Sequence, residues 1–331
     1  MKFSKKFAAA TLAALTMTAS LAGCVGDTTS GSSPDSAAEG KAYTIGICQL
    51  ISHNALDAAK NGFKEAVIAG LGEENVEFLE QNESGNNTGT TIVNEFVSKD
   101  VDLIMANATG SLQAAANATS DIPILGTSVT EYGVALGIDN FTGTVGGNIS
   151  GTSDLAPLED QAQMIIDLVP TAKNVGILYC SAEPNSAYQV KVVKEYLESK
   201  GLTVKEYVFT DSSDVAQVAE AAAVASDAIY IPTDNTAASC TETINNVVLP
   251  TKTPIIAGET GICSGCGIAT LSISYEELGK KTGEMAVEIL KNGKSISEMP
   301  IEYDANPVKK YNKTICDELG ITPPEGYEPL A

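Results

Sequence analysis

The sequence predicts an α/β protein of two similar lobes, each a parallel sheet flanked by helices, with crossover hinge strands joining the lobes. Three observations lead to this prediction. Apolar β-type runs alternate with segments of helical periodicity, which is typical of a parallel sheet. Several of these runs recur in the same order in both halves of the chain. The body that follows the N-terminal region has about 290 residues, more than one typical core holds.

The repeat consists of three pairs of strand-like segments, each followed by a polar or glycine-containing loop and then a helix-type segment. The pairs are "YTIGICQL" with "KNVGILYC", "VDLIMANATGS" with "SDAIYIPTDNT", and "IPILGTSVT" with "TPIIAGETG". Similarity among generic α/β strands is the alternative explanation. The shared order and similar spacing favour two lobes of like topology.

Helical periodicity is clearest after the first strand, where Leu56, Ala59, Phe63 and Val67 form one apolar stripe. Residues 189–200, 215–225 and 275–292 also predict helices, and Gly293 is a stop signal for the last of them. The crossover candidates are 147–154 and 272–275. We therefore assign 42–150 and 274–297 to lobe 1, and 151–273 and 298–331 to lobe 2.

The N-terminal region predicts export. Lys2, Lys5 and Lys6 precede a short apolar stretch that ends in Leu-Ala-Gly-Cys, so residues 1–23 are a signal peptide. This ending resembles a bacterial lipobox, in which the thiol of Cys24 is lipidated, whereas an ordinary secretory signal with a chance cysteine is the alternative. Residues 24–41 are a flexible tether rich in Ser, Gly, Asp and Thr. We expect a protein anchored by lipid to the cell membrane and facing outside the cytoplasm.

Charge narrows the range of partners. The chain has 20 Lys+Arg, all of them lysine, against 42 Asp+Glu, for a net charge of −22. Such a protein does not attract nucleic acid or anionic lipid electrostatically. Because arginine is absent, a ligand carboxylate must be held by backbone N–H groups, hydroxyls or lysine. Phosphorylated and dicarboxylate ligands are therefore disfavoured.

Catalytic motifs are missing. The sequence has no G-x-S-x-G, no G-x-x-x-x-G-K-[ST] and no H-E-x-x-H, and its one histidine is His53. We expect no enzyme, no metal site and no cofactor. His53 precedes a predicted helix, and the choice between a polar helix start and a ligand contact stays open.

"CSGC" brings Cys263 and Cys266 close together without the further ligands that zinc requires. A local disulfide or two free thiols is favoured over a catalytic site. Cys48, Cys180 and Cys240 are expected to be buried as small hydrophobes, and Cys316 has no assignment.

The carboxyl ends of parallel strands are where ligands collect in open α/β sheets. This rule selects six loops, at 51–56, 107–112, 128–132, 181–187, 232–237 and 258–263. If the lobes face each other, these loops line one cleft between them.

Two of these loops on the first lobe offer hydrogen-bond donors. Thr109, Gly110 and Ser111 stand at a helix start and provide free N–H groups and hydroxyls, and residues 127–130 add more. On the second lobe Asp234 and Glu259 could accept a bond from an ammonium. Ordinary helix capping is the alternative for each of these residues. Donors on one lobe and acceptors on the other suggest a zwitterion, that is, an amino acid.

Seven stretches, which cover most of the chain in order, resemble one known family, the substrate-binding proteins of tryptophan/tyrosine-type ABC importers (the TrpX-like group). The stretches are "IGICQLISHNALDAAKNGF", "VDLIMANATGSLQAAANAT", "IPILGTSVTEYG", "NISGTSD", "EPNSA", "DAIYIPTDN" and "ISYEELGKKTGEMAVEIL". The resemblance implies a type I periplasmic-binding fold with three crossovers, which closes on an amino acid that is often aromatic.

The resemblance also implies a set of ligand-binding positions. They are Ser52, His53, Leu56, Thr109, Gly110, Ser111, Ser128, Val129, Thr130, Asn185, Asp234, Asn235 and Glu259. In this set the hydroxyl and amide cluster would take the carboxylate, and Asp234 the ammonium. The sequence departs from the family pattern at Asn54, in "TEYG" and in "GICSGC", all at or near the mouth of the cleft.

The leading hypothesis is a monomeric, lipid-anchored receptor that delivers an aromatic amino acid to a membrane permease. One alternative is the same role for a branched amino acid or a nucleoside. A lipid-anchored enzyme and a surface adhesion or sensor protein are the others.

Overall fold

The structure is a computed structural model that describes residues 42–84, 87–304 and 306–330. The predicted signal peptide, Cys24 and the tether lie outside these residues. None of the helices in the described ranges has the length and apolar character that crossing a membrane requires.

The strands form two separate sheets. The first sheet has the order β11-β5-β4-β3-β1-β2 and the second β13-β12-β10-β9-β8-β6-β7. The strands are β1 (Tyr43–Gln49), β2 (Val76–Asn82), β3 (Leu103–Asn107), β4 (Ile124–Val129), β5 (Ile149–Ser153), β6 (Asn174–Cys180), β7 (Thr203–Phe209), β8 (Ala228–Ile231), β9 (Ile255–Ala257), β10 (Ala269–Ser272), β11 (Glu302–Tyr303), β12 (Val308–Tyr311) and β13 (Glu328–Pro329).

The helices cover both faces of each sheet, which is why the central strands are buried along their whole length. They are α1 (Asn54–Leu71), α2 (Gly89–Ser98), α3 (Thr109–Ala118), α4 (Tyr132–Leu136), α5 (Leu158–Leu168), α6 (Pro184–Ser199), α7 (Val215–Ala225), α8 (Asn235–Ser239), α9 (Thr241–Val248), α10 (Thr260–Cys266), α11 (Tyr275–Leu290) and α12 (Lys313–Leu319). Single 3-10 turns occur at Glu73–Asn75, Leu249–Thr251 and Ile296–Glu298.

The predicted fold class and internal repeat are confirmed. Strands β2-β1-β3-β4-β5 of the first sheet and β7-β6-β8-β9-β10 of the second have the same order, and all of these pairs are parallel. The predicted stripe on α1 is buried as expected, from Leu56 to Val67. Helix α11 starts at the predicted residue and ends two residues early, and Gly293 follows it with a φ of 68°.

The chain changes lobe later than the sequence predicted. The segment 147–154 was expected to be a crossover, yet Ile149–Ser153 is a fully buried strand of the first sheet, so the crossing begins at Asp154. Residues 302–303 were assigned to lobe 2, but β11 pairs with β5 in the first sheet. Both segments belong to the first sheet because β5 pairs with β4, and β11 pairs with β5 at the outer edge, before the chain leaves that sheet. The other crossings lie between β10 and α11, as predicted, and between β11 and β12.

Helix α11 returns from the second lobe and packs along α1 with the two backbones nearly in contact. A Cβ at Gly279 would lie 1.9 Å from the carbonyl oxygen of Ala59, and one at Gly62 would lie 2.1 Å from that of Glu276. These positions therefore require glycine. The contact ties the second crossover to the first lobe, next to the loop that follows β1.

We expect Gly279→Ala to lower the free energy of unfolding by about 1–3 kcal/mol, because the new methyl group meets backbone atoms that cannot move aside independently. Urea denaturation measures this. The matched control is Glu284→Ala, an exposed position on the same helix, which should change the stability by less than about 0.5 kcal/mol. Equal stabilities of the Gly279 variant and the wild type would show that the helices are not packed this closely.

Candidate functional site

The six predicted cleft loops all follow the carboxyl ends of parallel strands, at β1, β3 and β4 of the first lobe and β6, β8 and β9 of the second. The two sets of loops are in contact. Helix α1 touches α10, and α4 touches α6. The lobes are thus closed on each other at the edge where the sheet topology places a ligand.

Two buried amides shape the loop after β1. The Gln49 side chain donates to the carbonyl of Ile51 at 2.9 Å and to Asp57 at 2.8 Å. The Asn107 side chain, at the end of β3, donates to Gln49 at 3.1 Å and to the carbonyl of Leu56 at 2.8 Å. Sequence reasoning missed both amides. The available signal was a polar residue at the end of each apolar strand.

The three predicted residues of this loop differ in their surroundings. Ser52 is exposed, and its hydroxyl donates to Asp57 at 2.8 Å within the same lobe. Leu56 is buried in α1. His53 reaches across to the second lobe.

His53 bridges the cleft. Its Nε2 lies 3.2 Å from Oδ1 of Asn235, whose Nδ2 donates to Glu183 at 2.7 Å. Because the amide nitrogen faces Glu183, Oδ1 must accept, and His53 must carry its proton on Nε2. Nδ1 is then a bare acceptor, buried and without a hydrogen-bond partner among the described residues. Burial lowers the pKa of His53, and the Asn235 hydrogen bond partly opposes this.

Glu183 organises the second lobe's loops. Its carboxylate accepts bonds from the backbone N–H groups of Asn235 at 3.0 Å and Thr236 at 2.8 Å, and from the Thr236 hydroxyl. The predicted residue Asn185 also donates to it, at 3.2 Å. Glu183 is therefore a cap for α8 supplied from another loop. Sequence reasoning missed it, although it is the first residue of the "EPNSA" stretch.

Asp234 caps α8, and both of its carboxylate oxygens already accept hydrogen bonds. One carboxylate oxygen accepts from the N–H of Ala237, and the other accepts from the N–H of Cys180 and the Ser186 hydroxyl, both at 2.7 Å. The side chain is 1% exposed. Burial, and then the charge of Glu183, raise the pKa of Asp234 to about 7. Of the two alternatives that the sequence left open, the structure shows helix capping.

On the first lobe, Thr109, Gly110 and Ser111 form the first turn of α3, whose first amides have no partner within the helix. Ala108, just before them, has a φ of 96°, a conformation that is rare for alanine. The Ser111 hydroxyl donates to Glu83 at 3.4 Å, so only its backbone remains a free donor.

The segment 127–130 combines core and cleft contacts. Thr127 bonds to Thr152 in the core at 3.1 Å. Ser128 has a φ of 54°, and its hydroxyl is buried without a partner among the described residues. The carbonyls of Val129 and Thr130 accept from residues 153 and 154. This loop is thus tied to the first crossover.

Two acids meet at the hinge. Asp154, on the first crossover, accepts a bond from the Tyr275 hydroxyl at 2.9 Å, while its Oδ1 has no partner among the described residues. Glu259 caps α10 through the N–H groups of Gly261 and Ile262. Burial raises the pKa of both carboxyl groups, that of Glu259 to about 7, to which Asp154 also contributes. Sequence reasoning missed Asp154; the acid that ends "NISGTSD" was the signal.

A cavity of about 370 Å³ adjoins this hinge. Its walls come from α1, α10, α11 and the second and third crossovers. The residues that line it are Asn54, Ala55, Ala58, Glu259, Thr260, Gly261, Ser264, Ser272, Ile273, Ser274, Tyr275, Glu276, Asp304, Asn306, Val308, Lys310 and Leu330.

The cysteines of the described ranges are free thiols. Cys263 and Cys266 are buried in α10, and burial raises the pKa of both, so they are poor nucleophiles. Cys240 was expected to be buried but is half-exposed at the end of α8. Cys316 lies in α12, buried against the carbonyl of Ile268. No group of three acidic, His or Cys side chains in the described ranges could hold a metal.

Comparison with known proteins identifies relatives along most of the chain. The family model "ABC transporter substrate binding protein" matches residues 44–328. A "tyrosine-binding protein" of Clostridioides difficile is 39% identical over 265 residues, which cover 79% of this chain and 76% of the relative.

Solved structures of similar substrate-binding proteins also match most of the chain. A domain from Streptococcus pneumonia in complex with L-Trp is 31% identical, with a TM-score of 0.82 over 88% of this chain and 100% of that one. The ligand-free, open form of a Clostridium difficile substrate-binding protein with adhesive properties is 38% identical, but its TM-score is 0.67 over 87% of this chain and 99% of that one.

Together, the two closed lobes, the shared strand order and the family match over residues 44–328 lead to one assignment. Proteins of this kind bind solutes for membrane transport outside the cytoplasm and do not form an enzyme family. The chain belongs to the ABC transporter substrate-binding family.

Proposed function

We propose that this protein captures an aromatic amino acid between its lobes and delivers it to the permease of an ABC importer. The observation that carries the proposal is a set of buried polar atoms without partners in the cleft loops and the first crossover. They are His53 Nδ1, Asn107 Oδ1, Ser128 Oγ and Asp154 Oδ1. Leaving such atoms unpaired is costly, and a polar ligand would satisfy them.

The arrangement of the lobes supports the proposal. The structure resembles the L-Trp complex more closely than the ligand-free open protein, although the latter is more similar in sequence. A difference in lobe position would account for these scores, because each lobe keeps its own fold when such proteins close. The relatives are described as binding tyrosine or tryptophan, and this is the basis for proposing an aromatic ligand here.

We assign the ligand carboxylate to the first lobe. The free amides of Thr109, Gly110 and Ser111 and the hydroxyls of Ser128 and Thr130 replace the arginine that the chain lacks. Leu56 and Val129 supply apolar surface beside them. On the second lobe, Asn185, Asn235 and Asp234 hold the loops in place, with Asp234 acting through α8 rather than through the ligand.

Two tyrosine side chains lie near the cleft loop at 128–132. Tyr188 on α6 and Tyr303 on β11 are both close enough to Glu131 for its charge to raise the pKa of their hydroxyls, although burial is the larger cause. Tyr132 is not available, because it is buried against Phe141 and its hydroxyl donates to the carbonyl of Thr152. We assign side-chain selection to Tyr188 and Tyr303.

Calorimetric titration with the common amino acids and nucleosides tests this function. We expect tyrosine, tryptophan or phenylalanine to bind roughly tenfold or more tightly than the branched amino acids, since a ring buries more apolar area. Tighter binding of a branched amino acid or a nucleoside would support the alternative ligand. If none of these compounds bound, the proposed function would be wrong.

The bond between His53 and Asn235 should stabilise the closed, ligand-bound form. His53→Ala should weaken ligand binding about three- to tenfold, the value of one neutral hydrogen bond. A double-mutant cycle with Asn235→Ala should give a coupling of about 1 kcal/mol in the binding free energy. Ser199→Ala, which removes an exposed hydrogen bond to the carbonyl of Tyr196 within α6, is the control. Additive effects of the two variants would contradict the bridge.

Lipid anchoring at Cys24 is part of the proposal and follows from the lipobox-like sequence. In fractionated cells we expect the wild type in the membrane pellet and Cys24→Ala in the soluble fraction or the medium, because two acyl chains are needed for stable anchoring. Ligand affinity is the control and should not change. A variant that stays with the membrane would contradict the anchor.

We also expect the protein to be a monomer, which gel filtration coupled to light scattering would show.

A further inference from the structure

We propose that Asp154, on the first crossover, accepts the ammonium group of the bound amino acid. This inference rests on the proposed function and adds a residue that neither the sequence resemblance nor the relatives assign. It also moves the ammonium away from Asp234, where the sequence had placed it.

Asp154 lies where both lobes meet. Its backbone N–H donates to Val129 at the end of β4, and one carboxylate oxygen accepts from Tyr275 at the start of α11. Glu259 of the second lobe is close enough for the charge of Asp154 to raise its pKa. A ligand held by residues 128–130 would therefore have its other polar end within reach of this acid.

One oxygen of Asp154 is left without a partner. The side chain is 4% exposed, and Oδ1 accepts no hydrogen bond from any described residue. Burial raises the pKa of Asp154 and outweighs the opposing effects of the Tyr275 and Thr130 hydroxyls, both of which are near enough to lower it. A buried carboxylate oxygen without a donor is unstable unless a cation or a proton reaches it.

No lysine supplies that cation. Within the described ranges, the salt bridges of the chain do not include Asp154 or Glu259. Asp154 raises the pKa of Glu259, and the other titratable groups near the two acids are the hydroxyls of Tyr132 and Tyr275 and the thiols of Cys263 and Cys266, none of which carries a positive charge. The pair is therefore negative or protonated, and an ammonium is the ligand group that would leave both acids ionised.

The other acids of the cleft are less suited. Both carboxylate oxygens of Asp234 already accept hydrogen bonds, from three donors of its own lobe. Glu259 uses both of its oxygens to cap α10, so it adds negative potential near the ammonium but has no oxygen without a bond. Glu183 is surrounded by donors in the same way.

The protonation of these acids makes the ligand affinity depend on pH. An ammonium favours the ionised acids, so binding must release protons wherever the acids are partly protonated beforehand. Since the pKa of Glu259 is raised to about 7 and that of Asp154 is raised as well, affinity should fall as the pH drops from about 8 to about 5.5.

The test compares an amino acid with its analogue that lacks the amino group. L-tyrosine is paired with 3-(4-hydroxyphenyl)propionic acid, and L-tryptophan with indole-3-propionic acid. Wild-type protein should strongly prefer the amino acid. In Asp154→Asn we expect the amino acid to bind about 10- to 100-fold more weakly, as for the loss of a charged hydrogen bond, and the preference over the analogue to disappear.

Tyr275→Phe is the matched control. It removes the hydrogen bond between the crossovers but leaves the charge of Asp154. If Asp154 only holds the hinge in place, both variants should weaken the binding of the amino acid and of the analogue by equal factors. Retention of the preference in a folded Asp154→Asn protein would overturn the inference while leaving the proposed function intact. A wild type that bound no amino acid would overturn the proposed function itself, and the inference with it.

A second measurement does not depend on any variant. Calorimetry of the wild type in two buffers with different ionisation enthalpies reports the protons exchanged on binding. Where the raised pKa values leave the acids partly protonated, the amino acid should release more protons on binding than the analogue. Equal proton exchange with both ligands would contradict the role of Asp154.

Discussion

The chain passes three times between its two sheets, always on the side where β5 and β11 lie in one sheet and β10 and β12 lie in the other. This constraint determines where the site lies. Parallel strands of like order direct six loops into one gap, and the crossings close that gap along one side. Because α11 returns to pack on α1 through glycine contacts, the second crossover is held against the first lobe. The hinge is therefore also a wall of the binding site.

The position of the hinge beside the cleft explains which acids there have hydrogen-bond partners and which do not. Most cleft acids are satisfied by backbone N–H groups of their own lobe, as Asp234 and Glu183 are. Asp154 is in the crossover segment that follows β5 rather than at a helix start, so it does not cap a helix. Its second oxygen is left for a group that arrives between the lobes. Closing the cleft around a zwitterion would then pair charges that neither the open protein nor an uncharged ligand could pair.

Much of this could be predicted from the sequence because the signals were local. Alternating strands and helices, the stripe on α1 and the bounds of α7 follow from periodicity within a few turns. Strand β5 was missed because the Gly and Ser residues within it weaken its strand propensity and its neighbours order it. Asp154 was missed because its partner Tyr275 is 121 residues away. The acids Asp234 and Glu259 were found, but their environments could not be predicted without the packing around them.

A crystal structure of the protein with its preferred amino acid would show directly which groups hold the two charged ends of the ligand. We expect the ligand to lie between the loops after β1, β3 and β4 and those after β6, β8 and β9. Its ammonium should be at hydrogen-bond distance from Oδ1 of Asp154, and its carboxylate should lie at residues 109–111 and 128–130. A ligand bound outside this cleft, or one bound in the cleft with its ammonium at Asp234, would contradict this expectation.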